Sequence, residues 1–258
     1  MLFGDKGYIE FKYEEQIAKW AEFAGKKGNE ILANPNQLAK WLQCEGTWFV
    51  GVDVLPNDSQ GNFEEVKFPH TFSSLMENIN LKSYHKAQLS VIFPGYPKPR
   101  AGDSEAAFEY RLKRDAAHVD GLLPIGTKKR RYLIEAHGII LGIPLNNTHS
   151  GASPIVVWEG SHLIMKKEFS NLLSKVPPSS WKDIDLTDTY KKARRNCFEN
   201  CKRKVIESPV GTGYALHPLL LHGMAPWVSP SKGVESSNRQ VAYFRPLLNN
   251  VQDWLSII

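Results

Sequence analysis

The sequence predicts a mainly β protein with flanking helices, whose strands form a barrel or a double-sheet jelly roll. From about residue 46 onward, short apolar runs alternate with turns rich in Gly, Pro, Asn and Asp, which is typical of such folds. Helical spacing of apolar residues appears before this region and once within it. We therefore predict one domain over residues 1–258, with a helical N-terminal part at 1–45, a jelly-roll core at 46–162 and 204–248, and a helical insertion at 163–203.

The helical parts are predicted from apolar residues three and four positions apart. Ile17, Trp20 and Ala24 form one such series, and the break "NPNQ" separates it from a second helix that includes Leu38 and Leu42. The insertion contains the lysine-rich stretches "KKEFSNLLSKV" and "LTDTYKKARRNCFENCKRK". It is open to three interpretations, namely a solvated decoration, a lid over a pocket, or a surface for a partner.

The core strands are predicted from apolar runs that end at Gly or Pro turns. In chain order the predicted strands are "TWFVGVDVL", "AQLSVIF", "FEYRLKRDAAHV", "YLIEAHGIILGIPL", "SPIVVW", "RKVIES", "GYALHPLLLH" and "RQVAYFRPL". Gln88 and Ser90 alternate within the second run, so both side chains face one side and could line a pocket.

Composition narrows the class of protein. Apolar residues make up 42% of the 258 residues and aromatic residues 11%, which is ample for a packed core. The net charge of +5 is compatible with an anionic ligand and indicates no nucleic-acid partner. Three cysteines do not make a disulfide framework. The early charges and the lack of a long apolar run predict a cytoplasmic protein without membrane contact.

His118 and Asp120, in "AAHVDGLLP", are the first candidates for chemistry. In a strand, residues two apart share a face, so the imidazole and the carboxylate would project into one space. One further histidine would complete a 2-His-1-carboxylate triad, which suits non-haem Fe(II) and leaves three coordination positions open. Such a site needs neutral imidazoles, so we expect metal loss at mildly acidic pH.

The third ligand is left open by the residues alone. His217 and His222 lie five apart in "HPLLLHG", which is predicted as one buried strand. Strand alternation would send the two rings to opposite faces, so at most one of them reaches a given pocket. The full set of later candidates is His137, His149, His162, His217 and His222.

Four motifs in order resemble the phytanoyl-CoA dioxygenase-like family of Fe(II)/2-oxoglutarate oxygenases. They are "HVDGLLP", "LGIPLNNTHSGASPIVVWEGSH", "GYALHPLLLHGMAP" and "NRQVAYFRP", and the resemblance spans roughly residues 85–248. It implies a double-stranded β-helix core (jelly roll, cupin-like) and makes His222 the distal iron ligand, with His217 off the metal. It also implies that Arg239 binds the distal carboxylate of 2-oxoglutarate, where a guanidinium forms two parallel charge-assisted bonds.

The resemblance further implies an enzyme that uses Fe(II), 2-oxoglutarate and O₂ to hydroxylate a small molecule. Asp120 supports hydroxylation, because halogenases on this scaffold carry a small residue in place of the carboxylate. Three features depart from the family pattern. Met224 replaces a serine after "HG", and Glu159 replaces the proline of "PGSH". Arg239 lies 17 positions after His222, a spacing that predicts a loop insertion through "VSPSKGVESS".

Three alternatives remain. Arg239 and Arg245 lie six apart, as in the R-x-N-x-T-x-R signature of nucleic-acid demethylases that use the same triad, although Val241 and Tyr243 occupy its inner positions. The second alternative is a jelly-roll protein without catalysis, or a cupin-like protein that holds another metal. A serine nucleophile in "WEGSHL" is the third, and it lacks the G-x-S-x-G spacing. The substrate and the oligomeric state stay open.

Overall fold

The computed structural model describes residues 2–81, 83–230 and 237–257. The strands within them are β1 Tyr8–Phe11, β2 Leu42–Gln43, β3 Trp48–Gly51, β4 Gln88–Ile92, β5 Leu122–Ile125, β6 Arg130–Leu133, β7 Ile140–Pro144, β8 Ile155–Trp158, β9 Arg203–Ile206, β10 Gly213–Leu216, β11 His222–Met224 and β12 Arg239–Phe244. The helices are α1 Glu15–Leu32, α2 Pro35–Trp41, α3 His70–Asn78, α4 Glu105–Lys113, α5 Ser161–Leu173 and α6 Thr187–Asn200, with 3₁₀ helices at Pro178–Asp183 and Val251–Leu255.

The strands form two facing antiparallel sheets and one separate hairpin. The large sheet has the order β1-β10-β7-β12-β4-β3-β2, the small sheet the order β11-β8-β9, and β5 pairs with β6. Apolar residues of both sheets meet in one buried cluster, including Ile155 and Val157 from the small sheet and Val241 and Tyr243 from the large one. The fold is therefore mainly β with flanking helices, and its core is the predicted double-stranded β-helix, a cupin-like jelly roll.

Helices cover the outer faces of both sheets. Residues that alternate with the inward set, such as Ala242 and Phe244 of β12, pack against Trp20 of α1 and Phe72 of α3. On the other side of the molecule, α5 and α6 pack on the outer face of the small sheet. Strands buried on both faces read as nearly continuous apolar runs, which explains the sequence of β12. None of the helices among the described residues is both long and apolar enough to cross a membrane.

The helical insertion is built into the core. Helices α5 and α6 bury Phe169, Leu173 and Tyr190 in the cluster that also contains Trp158 of β8. These contacts contradict the interpretation of this segment as a solvated decoration, because a decoration would leave its apolar stripe without a partner.

Three other predicted elements differ. The predicted strand "YLIEAHGIILGIPL" is divided between β6 of the hairpin and β7 of the large sheet. The stretch "FEYRLKRDAAHV" begins as helix α4, not as a strand, and its start is fixed by Ser104, whose Oγ accepts a hydrogen bond from the N–H of Ala107 at 3.2 Å. The N-terminal part is not wholly helical, since β1 precedes α1 and pairs with β10 at the edge of the large sheet. The two predicted helices are present as α1 and α2, but α2 begins at Pro35, inside "NPNQ", and ends at Trp41, so Leu42 lies in β2 and not in the second helix.

The stretch "HPLLLHG" is not one strand. Strand β10 ends at Leu216, residues 217–221 cross from the large sheet to the small one, and β11 starts at His222. Pro218 has no N–H for a strand ladder, and a turn hydrogen bond from Leu220 N–H to the His217 carbonyl at 2.9 Å closes the crossing. Strand alternation therefore does not relate the two histidines, because His217 lies in the crossing and His222 in the small sheet.

Candidate metal centre

His118, Asp120 and His222 come together between the two sheets. Their ligand atoms all lie within 4.8 Å of one another, the one such group of His, Cys, Asp or Glu found within the described ranges. Asp120 Oδ1 lies 3.1 Å from His118 Nε2 and 3.9 Å from His222 Nε2. Two imidazole nitrogens and one carboxylate oxygen thus converge on one point.

The backbone sets this convergence. His118 and His222 exchange two main-chain hydrogen bonds of 2.8 and 3.0 Å, forming an isolated antiparallel bridge. The sequence predicted that His118 lies in a strand, and this is wrong. His118 lies in a loop that pairs with β11 through this bridge. The close approach requires Gly223, where a Cβ atom would lie 2.1 Å from the Asp115 carbonyl oxygen.

The tautomers of both histidines follow from their carbonyl partners. His118 Nδ1 lies 2.9 Å from the Ala116 carbonyl, and His222 Nδ1 lies 2.8 Å from the Leu220 carbonyl. A carbonyl only accepts, so each Nδ1 carries a proton, and in the neutral imidazole each Nε2 presents its lone pair to the centre. This is the arrangement that orients histidine ligands in metal sites.

The three groups shift one another's pKa values. Burial alone would raise the pKa of the Asp120 carboxyl, but His118, Arg245 and His222 outweigh burial and hold it well below its usual range. Burial, together with the nearby His118, lowers the pKa of His222 to about 4. Desolvation by the surrounding protein atoms disfavours the imidazolium form of His118. The hydrogen bond and the charge of Asp120 outweigh desolvation and raise the pKa of His118 above the ordinary 6.5.

Arg239 lies on the inward face of β12, beside Ile92 of β4. It is 8% exposed and its Nη1 has no hydrogen-bond partner. The guanidinium faces Tyr214 and Tyr243, whose hydroxyl oxygens are 2.8 Å apart. A buried guanidinium nitrogen without an acceptor is costly, so this position fits an anionic group that approaches from the space between the sheets.

Gln88 and Ser90 also face inward from β4, and both already have partners. Gln88 Oε1 accepts a hydrogen bond from Arg245 Nη2, and Ser90 Oγ accepts one from Trp48 Nε1 at 3.1 Å. Gln88 is thereby linked to the metal centre, because Arg245 also contacts Asp120. Ser90 instead holds the indole of Trp48, whose ring packs edge-on against that of Tyr96.

The departures from the family pattern have their own contacts. Met224 lies in an apolar cluster with Ile92 and Tyr96, two residues along β11 from His222. Glu159 accepts a hydrogen bond from the Tyr8 hydroxyl at 2.7 Å, which ties β1 to the turn after β8. The predicted loop insertion before Arg239 falls largely on residues 231–236, which lie outside the described residues.

The other candidate histidines have structural contacts. His217 is buried, accepts a hydrogen bond from Leu219 N–H at 3.0 Å and donates to the Ile257 carbonyl at 3.2 Å. Its ring lies 4.9 Å from that of His162. His217 thus points away from the cluster, as expected, and its ring is used in packing and hydrogen bonds. Both His137 and His149 bond to main-chain carbonyls.

The residue that sequence reasoning undervalued is Arg245. The sequence singled it out only as a possible part of a demethylase signature, whereas its Nη1 lies 3.4 Å from Asp120 Oδ2. The signal was its even spacing of six from Arg239, which keeps the side chain of Arg245, the residue directly after β12, in phase with the inward side chains of that strand.

The fold and the site together define a class of protein, namely a jelly roll that holds a 2-His-1-carboxylate cluster between its sheets. The chain is similar to the non-heme alpha ketoglutarate dependent epimerase SnoN from nogalamycin biosynthesis, at 12% identity and a TM-score of 0.50, over 95% of this chain and 78% of that one. It also resembles the carbocyclase SnoK from the same biosynthesis, at 12% identity and a TM-score of 0.48, over 98% of this chain and 86% of that one. For iron-bound EctD from S. alaskensis the identity is 14% and the TM-score 0.48, over 97% of this chain and 78% of that one.

At this identity the likeness to SnoN shows a shared fold and no more. No family model matches the chain, and no curated protein matches it. Membership of the phytanoyl-CoA dioxygenase-like family therefore stays a prediction.

The buried His217 makes the stability of the protein depend on pH. Burial and the neighbouring His162 lower its pKa to about 3, so below pH 6.5 the unfolded chain binds a proton that the folded chain excludes. The contribution is present above pH 6.5, and each pH unit below it removes up to about 1.4 kcal/mol of stability.

We expect His217→Gln to flatten this dependence. Urea unfolding of wild type and variant, measured at about pH 7 and about pH 5, compares the two slopes. Parallel slopes would show that His217 accepts a proton in the folded state.

Proposed function

We propose that the protein is a cytoplasmic Fe(II)- and 2-oxoglutarate-dependent dioxygenase that hydroxylates a small-molecule metabolite. The observation that carries this proposal is the convergence of His118 Nε2, His222 Nε2 and Asp120 Oδ1 on one point between the sheets. The order of motifs supports relation to the phytanoyl-CoA dioxygenase-like family.

The donor set fits iron. Two neutral imidazoles and one carboxylate on one side of an ion form the facial triad of non-haem Fe(II) oxygenases, and no thiolate is present to favour zinc in a closed site. His118, Asp120 and His222 would hold the ion. When bound, Fe(II) together with 2-oxoglutarate supplies the activation of O₂ that oxidises a substrate C–H bond.

Arg239 is the proposed anchor for 2-oxoglutarate. Its unpartnered Nη1 can donate to the distal carboxylate, and the Tyr214 and Tyr243 hydroxyls lie beside it as further polar groups. Ile92, Tyr96 and Met224 form an apolar wall on the same side of the interior. These residues bind and orient the cosubstrate and exclude water from it.

The protein also keeps the centre accessible from outside. The His118 side chain is 48% exposed, whereas those of His222 and Asp120 are 6% and 11% exposed. A substrate would therefore approach on the His118 side. The retained carboxylate of Asp120 favours hydroxylation over halogenation, because it occupies the position that a halide would need.

The proposal is tested by anaerobic titration of the protein with Fe(II) and 2-oxoglutarate. We expect a weak visible charge-transfer band from the chelated cosubstrate in wild type and no band in His222→Ala. His70→Ala, which changes an exposed histidine outside the cluster, is the control and should retain the band. A wild-type protein without the band, or His222→Ala with it, contradicts the proposal.

Metal binding should weaken in acid. Because the pKa of His118 is raised, a proton competes with the metal for Nε2 at a higher pH than it would for an ordinary histidine. The apparent affinity should fall about tenfold for each pH unit below that pKa. Metal titrations from about pH 8 to about pH 5 measure the slope, and a flat profile would contradict this ligand set.

Arg239→Met should weaken 2-oxoglutarate binding. A charge-assisted hydrogen bond contributes roughly 1.5–3 kcal/mol, so the dissociation constant of 2-oxoglutarate from the metal-loaded protein should rise about 10- to 150-fold. Arg239→Lys keeps the charge without the planar guanidinium, so its dissociation constant for 2-oxoglutarate should lie between those of wild type and Arg239→Met. Unchanged binding in Arg239→Met would exclude Arg239 as the anchor.

A further inference from the structure

Arg245 connects the candidate metal centre to the interior of the large sheet. It follows β12 directly, and its guanidinium makes two contacts. Nη1 lies 3.4 Å from Asp120 Oδ2, and Nη2 donates to Gln88 Oε1. The side chain is 24% exposed, so these contacts are made largely away from water.

The two oxygens of Asp120 consequently have different surroundings. Oδ1 faces His118 Nε2 at 3.1 Å and His222 Nε2 at 3.9 Å, whereas Oδ2 faces Arg245. A carboxylate oxygen that accepts from a guanidinium is a poorer metal ligand, and the arginine also occupies the space beside it. Asp120 therefore offers one oxygen to an ion and keeps the other turned away.

The main chain of Arg245 is held on both sides by histidines. Its N–H donates to His85 Nε2 at 2.7 Å, and His137 Nδ1 donates to its carbonyl at 2.8 Å. Each histidine has a carboxylate at its other ring nitrogen. Asp53 Oδ1 lies 2.9 Å from His85 Nδ1, and Glu135 Oε2 lies 3.2 Å from His137 Nε2. Two histidine–carboxylate pairs thus fix the position from which the guanidinium reaches Asp120.

We propose that Arg245 is a positioning residue that restricts Asp120 to a single metal-binding oxygen, and that the His85–Asp53 and His137–Glu135 pairs hold Arg245 in place. The inference rests on the function proposed above. Two imidazoles and a one-oxygen carboxylate fill three positions of an octahedral ion and leave three. A carboxylate bound through both oxygens would leave two, too few for a chelating 2-oxoglutarate and O₂ together.

Metal affinity alone does not test this role. The positive charge of Arg245 repels a divalent ion, so its removal strengthens metal binding electrostatically while it frees Oδ2. The binding mode of the carboxylate is the decisive observation. Infrared spectroscopy reports it directly, because the two carboxylate stretching bands are widely separated for one-oxygen binding and close together for two-oxygen binding.

The experiment uses protein labelled with ¹³C-aspartate and Co(II) alone as the probe. Spectra with and without Co(II) are subtracted for wild type and for Arg245→Met, and Asp120→Asn identifies the bands of Asp120. We expect a wide separation in wild type and a narrow one in Arg245→Met. 2-Oxoglutarate, added afterwards, should bind the Co(II) form of Arg245→Met about tenfold more weakly, a loss of about 1.4 kcal/mol.

Two further variants complete the test. Arg245→Lys keeps a cation without the fork that spans Asp120 and Gln88, and it should narrow the separation partially. It decides the matter if Arg245→Met does not fold. Arg130→Met, which removes ion pairs with Asp185 and Asp188 away from the centre, should leave the wild-type bands unchanged.

The outcomes separate the two proposals. A wild-type separation in Arg245→Met or Arg245→Lys overturns the positioning role, and weaker 2-oxoglutarate binding with unchanged bands would make Arg245 a direct contact of the cosubstrate instead. A wild-type protein that binds no Co(II) overturns the metal site itself, and with it the proposed function.

Discussion

Two main-chain hydrogen bonds between His118 and His222 determine the geometry on which the candidate metal centre depends. They join a loop that precedes the β5–β6 hairpin to a strand of the small sheet, and Gly223 allows the contact. Each imidazole is then turned by its own carbonyl partner, so that both Nε2 atoms face Asp120. A shift of the loop by one residue would place Val119 where His118 lies and would remove the site.

The apolar layers between the sheets and the outer helices offset the cost of the polar groups between the two sheets. Helices α1 and α3 on one side and α5 and α6 on the other bury large apolar clusters against the sheets, and this burial supplies most of the stabilisation. The space between the sheets is therefore free to hold groups that a small core would exclude, such as Arg239 with Tyr214 and Tyr243. Burying an arginine without a full set of partners costs free energy, and binding of an anion would recover it.

Local patterns predicted much of the fold. The helical spacing of Trp20 and its neighbours defined α1, and the apolar runs defined β4, β7, β8 and β12. The errors arose where a short pattern fits two structures. The "FEYRLKRD" stretch has both aromatic and helix-forming residues. It forms a helix, and the Ser104 side chain stabilises the N-terminus of that helix by capping it. "HPLLLHG" is apolar throughout, so periodicity could not show that the chain leaves one sheet there and enters the other.

By itself the sequence determined the chemistry that is available, namely the H-x-D pair, the later histidines, Arg239, and the inward phase of Gln88 and Ser90 along their strand. The family resemblance selected His222 among the histidines. Only the tertiary structure decided which groups touch. That Arg245 pairs with Asp120, and that His85 and His137 hold its main chain, depends on contacts between residues far apart in the chain. Such contacts leave no local periodic pattern, because they are set by how the sheets and loops pack and not by any short stretch.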